Sequence, residues 1–383
     1  MGKKKVFISV GEVSGDNYGA ELVKRLPQFE WIGITGHKME KAGVKSIENI
    51  KNISVVGLSE AIPKYFNIKR TFKNSVKTLK TGIDTVIVID FPGYNLKLIK
   101  EAKKLGLKTV YFIAPQVWAW GKSRIKDIVK YTDLLITILP FEKKIYEPYI
   151  SKDFQVEFFG HPLLDIIKTE ETDLSFRKKL NIPLNVDIFG LLPGSRESEV
   201  KIHLPILLKT ATFIQKVFPN IYFVIPTTPN IESLVVKYSQ NFRNVNLRII
   251  TEKTFKYPSY EVMDKSKFSL ITSGTATLEA GIVGNPFALI YKVSPFTYFI
   301  GKLLVSVDYL GLPNLIAERE IIKEFLQNEC EPVKLANYSI NTLLDRDSYL
   351  KIKNELLNIK SKLGEKGALD KIADRIDRFV STN

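Results

Sequence analysis

The sequence predicts an α/β protein of two Rossmann-like domains, each a parallel sheet covered by helices on both faces. Three observations lead there. Short, nearly continuous runs of Val, Ile, Leu and Phe alternate with longer stretches at helical spacing, the pattern of strands buried on both sides. The alternation runs through the first half of the chain and starts again in the second. At 383 residues the chain has room for two cores of ordinary size.

In the first half the expected strands are residues 5–10, 85–89, 109–113, 134–138 and 156–159. In the second they are 188–192, 221–225, 247–250, 268–271 and 287–291. The polar stretch 168–180 contains either the linker or the second domain's first helix. From about Ser348, charged residues with apolar ones at helical spacing read as closing helices. The expected domains are therefore 1–167, 168–347 and 348–383. Ligands of such sheets gather at the carboxyl ends of the strands, so the loops after strands are where chemistry is sought.

Composition narrows the partners. A formal charge of +15, spread along the chain, favours an anionic partner: nucleic acid, an acidic membrane surface or phosphorylated substrates. A lysine-rich background that only keeps the protein soluble has the same signature. One cysteine, Cys330, rules out an intrachain disulfide and a cysteine-built metal site, which fits a reducing cytosol. His37, His161 and His203 lie too far apart in sequence to suggest a histidine metal cluster, and no metal is expected. No apolar run approaches the ~18 residues of a membrane span.

The loops after strands carry the motifs. After the first strand comes Gly11-Glu12-Val13-Ser14-Gly15-Asp16, whose glycine spacing is not that of a dinucleotide fingerprint. It offers two acids, a serine and backbone donors to a sugar or phosphate, or else is a turn capped by Asp16. Asp90 ends the strand 85–89 before a Pro92-Gly93 turn. A carboxylate held there suits a general base, although an Asp that merely starts a turn looks the same. Gly194-Ser195-Arg196 follows the first strand of the second half, where backbone N–H groups and a guanidinium can meet a phosphate. Ser273-Gly274-Thr275 opens a helix with Glu279 one turn inside, a phosphate cradle with an acid placed for a ribose, or an ordinary capped turn. Trp118 and Trp120 stand in one loop as a substrate wall or as packing. In 62–80, Phe72, Val76 and Leu79 have core spacing, while Tyr65, Phe66 and Ile68 lie among Lys69, Arg70 and other basic residues. That mixture suits anionic lipid or a solvated surface helix.

Taken in order, these motifs resemble the lipid-A-disaccharide synthases. The resemblance rests on GEVSGDNYGA at 11–20, IDFPGYN at 89–95, APQVWAWGKSRI at 114–125, FGHPLLD at 159–165, LLPGSRESEV at 191–200, SGTATLEAG at 273–281 and LPNLIAERE at 312–320. Thr277 stands where a small apolar residue is expected, a mild departure. The resemblance implies a glycosyltransferase-B fold and an inverting hexosyltransferase without cofactor. The implied donor is UDP-2,3-diacylglucosamine and the acceptor 2,3-diacylglucosamine 1-phosphate, joined as a β-1,6 disaccharide 1-phosphate with release of UDP.

By matching motifs, Asp90 and Arg196 become the catalytic pair. Ser273, Gly274, Thr275, Glu279 and Asn314 form the nucleotide side, and Glu12, Ser14 and Asp16 face the sugars. A cytoplasmic protein on the inner face of the inner membrane is expected, and the aromatic and basic pattern of 62–80 makes Tyr65, Phe66, Ile68, Lys69 and Arg70 its contact with an anionic surface. The basic residues form no single aromatic-studded stripe and no nucleic-acid module is recognised, so no nucleic-acid partner is expected; the family leaves oligomeric state open, with a homodimer as one option. A UDP-N-acetylglucosamine 2-epimerase shares the architecture, and its product, a free hexosamine epimer, distinguishes it.

Overall fold

The computed structural model describes residues 2–53, 58–119, 121–294, 298 and 307–382, with the helix backbone alone over 58–64. The chain forms two compact units. The first takes the residues through Asp165 and returns for those after Leu363, and the second takes the stretch that starts at Ile166 and ends at Lys362. The C-terminal stretch thus gives the helix Arg346–Lys362 to the second unit and the helix Ala368–Ser381 to the first.

The first unit is built on a sheet of seven parallel strands. These are β1 (Lys5–Ser9), β2 (Glu30–Thr35), β3 (Lys45–Asn49), β4 (Thr85–Ile89), β5 (Lys108–Phe112), β6 (Leu134–Thr137) and β7 (Gln155–Phe158). Their order is β3-β2-β1-β4-β5-β6-β7. The second unit has β8 (Ile188–Leu192), β9 (Tyr222–Pro226), β10 (Leu247–Ile250), β11 (Phe268–Thr272), β12 (Phe287–Tyr291) and β13 (Glu324–Leu326) in the order β10-β9-β8-β11-β12-β13. In both sheets the order reverses beside the first strand, the topological switch point where α/β proteins place their ligands. The central strands β4, β8 and β11 are buried at every residue, as their largely apolar sequences require.

Three strands lie outside the sequence reading. β2 carries Glu30 and Gly33, β3 is the mixed edge strand KSIEN, and β13 has three residues. None has the continuous apolar run that marks a central strand. Gly33 is there because its backbone passes so near Ile8 that a Cβ would lie 1.8 Å from the Ile8 carbonyl oxygen. Residue 113, expected inside a strand, instead leaves β5 with φ 66°.

Helix α1 (Val13–Arg25) follows β1, and α2 (His37–Lys41) follows β2. Asp16, 4% exposed, joins them. Its Oδ1 accepts the N–H groups of Gly36 and Met39 at 2.8 and 3.1 Å, and its Oδ2 that of Lys38 at 2.9 Å. These are the donors that an α-helix leaves unpaired at its start. The expectation that Asp16 faces a sugar is corrected accordingly: both carboxylate oxygens are spent on capping α2. Asp16→Ala should leave those buried N–H groups unpaired and lower unfolding free energy by about 2 kcal/mol. Urea denaturation measures it, and a loss below about 0.5 kcal/mol would contradict the capping role.

Candidate active-site elements in the two units

In the first unit the strand ends converge on Asp90. The residue leaves β4 with φ 47°, and Phe91 follows at φ 52°. Left-handed backbone at non-glycine residues costs about 1–3 kcal/mol each and persists only where neighbours enforce it. Here they do. Asn95, fully buried on helix α4 (Pro92–Lys104), donates its Nδ2 to the carbonyls of Asp90 at 2.7 Å, Ile89 at 3.1 Å and Ser9 at 3.4 Å. Its Oδ1 accepts the Ser9 hydroxyl at 2.7 Å. Tyr111, from inside β5, donates its hydroxyl to the Asp90 carbonyl at 2.9 Å. Phe91 lies over Gly11, where a Cβ would stand 2.1 Å from its ring, and stacks on Tyr94 at 5.6 Å. Gly11 is therefore required by a close approach, while Pro92 starts α4 at the one place a helix accepts it.

The carboxyl of Asp90 is pushed up to about 6, first by burial and then by the negative charge of Glu12, against a hydrogen bond from the Phe91 N–H. Glu12 and Ser14, at the start of α1, are partly buried beside this edge. His161 is fully buried and accepts the Leu163 N–H at 3.1 Å. Burial lowers it to about 3, so it stays neutral, the structural role expected of a lone histidine. Trp118 donates its indole N–H to Glu142, and Trp120 lies outside the described residues.

The second unit collects its motif residues at the carboxyl ends of β8 and β11. Gly194 turns at φ 104°, and helix α9 (Glu197–Val217) begins after Arg196. The donors expected for a phosphate already have an anion. Glu199 accepts the N–H groups of Ser195 and Arg196 at 3.1 and 3.3 Å through Oε2, and Arg196 Nη1 at 3.1 Å through Oε1. This is the acidic half of a capping box: Glu199 accepts the N–H at the helix start, while the guanidinium, a donor only, adds an ion pair to the same carboxylate.

Gly274 (φ 150°) precedes helix α12 (Thr275–Val283), and space around it is open. Gly274 and Thr275 are exposed; the Thr277 N–H donates to the Gly274 carbonyl at 3.1 Å, which leaves the N–H groups of Thr275 and Ala276 as the helix-start donors. The Ser273 N–H is spent on the Ile290 carbonyl at 3.0 Å, so of this trio Ser273 offers only its side chain. Glu279, partly buried, is held by the Tyr260 hydroxyl at 3.1 Å.

Asn314 departs from its expected role. It is fully buried; its Nδ2 donates to the Ile322 carbonyl and to Glu324, and its Oδ1 accepts the N–H groups of Ile321 and Ile322. All its capacity goes to folding the segment before β13, so it shapes the second unit rather than touching a nucleotide.

The basic segment is helix α3 (Leu58–Leu79). Phe72 packs edge-on against Tyr94 at 5.5 Å, while Tyr65 and Phe66 are 58% and 78% exposed and in edge contact with each other. Ile68 is half-buried and Lys69 exposed; Arg70 lies 3.7 Å from Glu48.

Sequence reasoning passed over Asn95, Tyr111 and Glu199. Asn95 stood inside the motif 89–95, and its place one turn into the helix after Asp90 was the signal available; Tyr111 has none, being one more aromatic in an apolar strand.

A family model described as lipid-A-disaccharide synthetase matches residues 6–372. The chain is 62% identical to the lipid-A-disaccharide synthase of Persephonella marina over 97% of this chain and 98% of that one. It is 54% identical to that of a Sulfurihydrogenibium species and 38% identical to that of Aquifex aeolicus, over 97% of this chain each time and 97% and 98% of theirs. Among solved structures, a UDP-GlcNAc 2-epimerase from Neisseria meningitidis bound to UDP-GlcNAc superposes with TM-score 0.65 at 15% identity, covering 98% of this chain and all of that one. The calicheamicin glycosyltransferase CalG4 gives 0.60 at 13% identity, with 99% of each covered. These likenesses show the fold, that of glycosyltransferase-B proteins and the related epimerases. The chain belongs to the lipid-A-disaccharide synthase family, glycosyltransferases of lipid A biosynthesis.

Proposed function

We propose that the protein transfers 2,3-diacylglucosamine from its UDP conjugate to the 6-hydroxyl of 2,3-diacylglucosamine 1-phosphate, with inversion. The observation that carries this reading is Asp90: a residue whose backbone carbonyl is held at a strand end by Asn95 and Tyr111, and whose carboxyl is raised to about 6. At neutral pH it is ionised yet basic enough to accept a proton from an alcohol that is becoming an ether. The acceptor oxygen bonds to the donor's anomeric carbon as the bond from that carbon to the diphosphate oxygen breaks. The hydroxyl proton goes to Asp90, and the electron pair leaves with UDP.

The departing diphosphate needs positive potential. Arg196 and the start of α12 at Gly274 and Thr275 supply it, with Glu279 accepting from the ribose. Of the solved structures alike in fold, one is described bound to UDP-GlcNAc and another as a co-structure with UDP, which supports a UDP-sugar as donor. A diphosphate arriving at Arg196 competes with Glu199, whose carboxylate accepts from the same donors. Glu12 and Ser14 lie beside Asp90 and complete the sugar side.

Both substrates carry acyl chains, and the exposed Tyr65 and Phe66 beside Lys69 and Arg70 form a docking face for the anionic membrane surface that holds them. No described helix is long and apolar enough to cross a membrane. The protein then works at the inner face of the inner membrane.

Asp90→Ala and Arg196→Ala should each lower the transfer rate by at least about 100-fold while leaving the thermal midpoint within a few degrees. Mass spectrometry of the lipid product reads the rate, and near-wild-type turnover in either would contradict its role. Because Asp90 acts as the ionised base, kcat/KM should fall as pH drops through about 6; a profile flat to pH 5 would exclude it. Anionic vesicles should sediment the protein, and charge reversal at Lys69, Arg70 and Lys73 should release it; unchanged sedimentation would make α3 an ordinary surface.

A further inference from the structure

Glu142 is a buried acid in the first unit that the reaction as described does not use. It opens helix α6 (Glu142–Tyr146) after helix α5 (Arg124–Tyr131) and β6, and is 2% exposed. Its Oε1 accepts the indole N–H of Trp118 at 3.1 Å. Its Oε2 accepts the backbone N–H groups of Ile138 and Leu139 at 3.1 and 3.0 Å. One carboxylate therefore ties the loop after β5, which carries Trp118, to the loop after β6.

Those loops stand at the same sheet edge as Asp90. The Asp90 N–H donates to the Ile113 carbonyl, and the Ile113 N–H donates to the Ile136 carbonyl, at 3.2 and 3.0 Å. Trp118 is braced on its other side by Phe141, edge-on at 5.3 Å. Burying a carboxylate beside another acid is expensive, and two loops can be joined by neutral groups at less cost. The acid is thus in a place where its charge matters to what the loops do.

We propose that Glu142 is a positioning residue for the transfer reaction: its ionised carboxylate holds the Trp118 loop as a fixed wall beside Asp90. The proposal rests on the reading of Asp90 as the base. All three contacts of Glu142 are N–H donors, so a proton on either oxygen removes an acceptor and releases part of the tie. Burial, reinforced by the charge of Asp90, pushes the Glu142 carboxyl up to about 7, against the pull of its three donors. The groups facing this pair are Glu12 and the Phe91 N–H at Asp90, Tyr146 at Glu142, and Tyr111 between them, itself facing Arg124.

Full activity then needs two carboxyls ionised. In the wild type, kcat/KM should fall in two steps, on the order of tenfold as Glu142 takes its proton near pH 7 and then without limit as Asp90 takes its own near 6. E142Q takes up no proton at that position, so its kcat should be lower on the order of tenfold already at alkaline pH, as the wall loosens, and its acid limb should keep only the Asp90 step. W118F keeps the acid and loses only the indole bond. Its kcat should fall several-fold, on the order expected for a misplaced wall, while both steps remain. Melting curves establish that each variant is folded, and if E142Q is not, W118F and the two-step wild-type profile still decide.

A wild-type acid limb with the same single step as that of E142Q, E142Q at wild-type kcat, or W118F at wild-type kcat would each overturn the proposal. A purely structural Glu142 would lower the melting point without removing a step from the profile. If Asp90→Ala is fully active, the reading of the base fails; if it is inactive while E142Q is wild-type, only the positioning role fails.

Discussion

The strand-end edge of the first unit that carries Asp90 depends on the hydrogen bonds of one side chain. Asn95 gathers the carbonyls of Ser9, Ile89 and Asp90 with its amide nitrogen and takes the Ser9 hydroxyl with its oxygen, all in a fully buried place. It thereby joins the end of β1 to the end of β4 and holds Asp90 and Phe91 in left-handed backbone that neither would adopt alone. Asp90 consequently has its backbone set by its neighbours. Its basicity has the same origin, because the turn that fixes it also takes it out of water and sets it near Glu12.

The second unit poses a different problem, positive potential gathered at strand ends. Left alone, a helix start and an arginine at a strand end would be unpaired donors, and Glu199 satisfies them from within the same helix. At the start of α12 no such acid appears among the described first-turn residues, and Gly274 and Thr275 remain exposed. The two helix starts therefore differ: a carboxylate covers the donors at one, and the residues of the other face outward.

The fold was legible because central parallel strands have no choice but to be continuous and apolar, as in TVIVI of β4 and IFGLL of β8. The edge strands β3 and β13 and the mixed strand β2 were not, since a strand with one open side or a short pairing needs no such run. The site was partly legible. Asp90 showed itself by its place between an apolar strand and a Pro-Gly turn. Asp16 and Asn314 looked equally polar and equally well placed, yet one caps α2 and the other folds the approach to β13. Whether a polar side chain serves a ligand or the backbone depends on which N–H groups arrive beside it from elsewhere, as Gly36 and Lys38 do for Asp16. That information belongs to the tertiary structure.

The central claim is that Asp90 is a carboxyl raised by its surroundings and ionised at neutral pH. Carbon-detected NMR titration of the aspartate carboxyls, with Asp90 assigned by its absence from the Asp90→Asn spectrum, measures this directly. The account predicts a midpoint near 6. A midpoint near 4, where a solvated aspartate titrates, would mean that the strand-end turn leaves Asp90 in water, and would contradict the account.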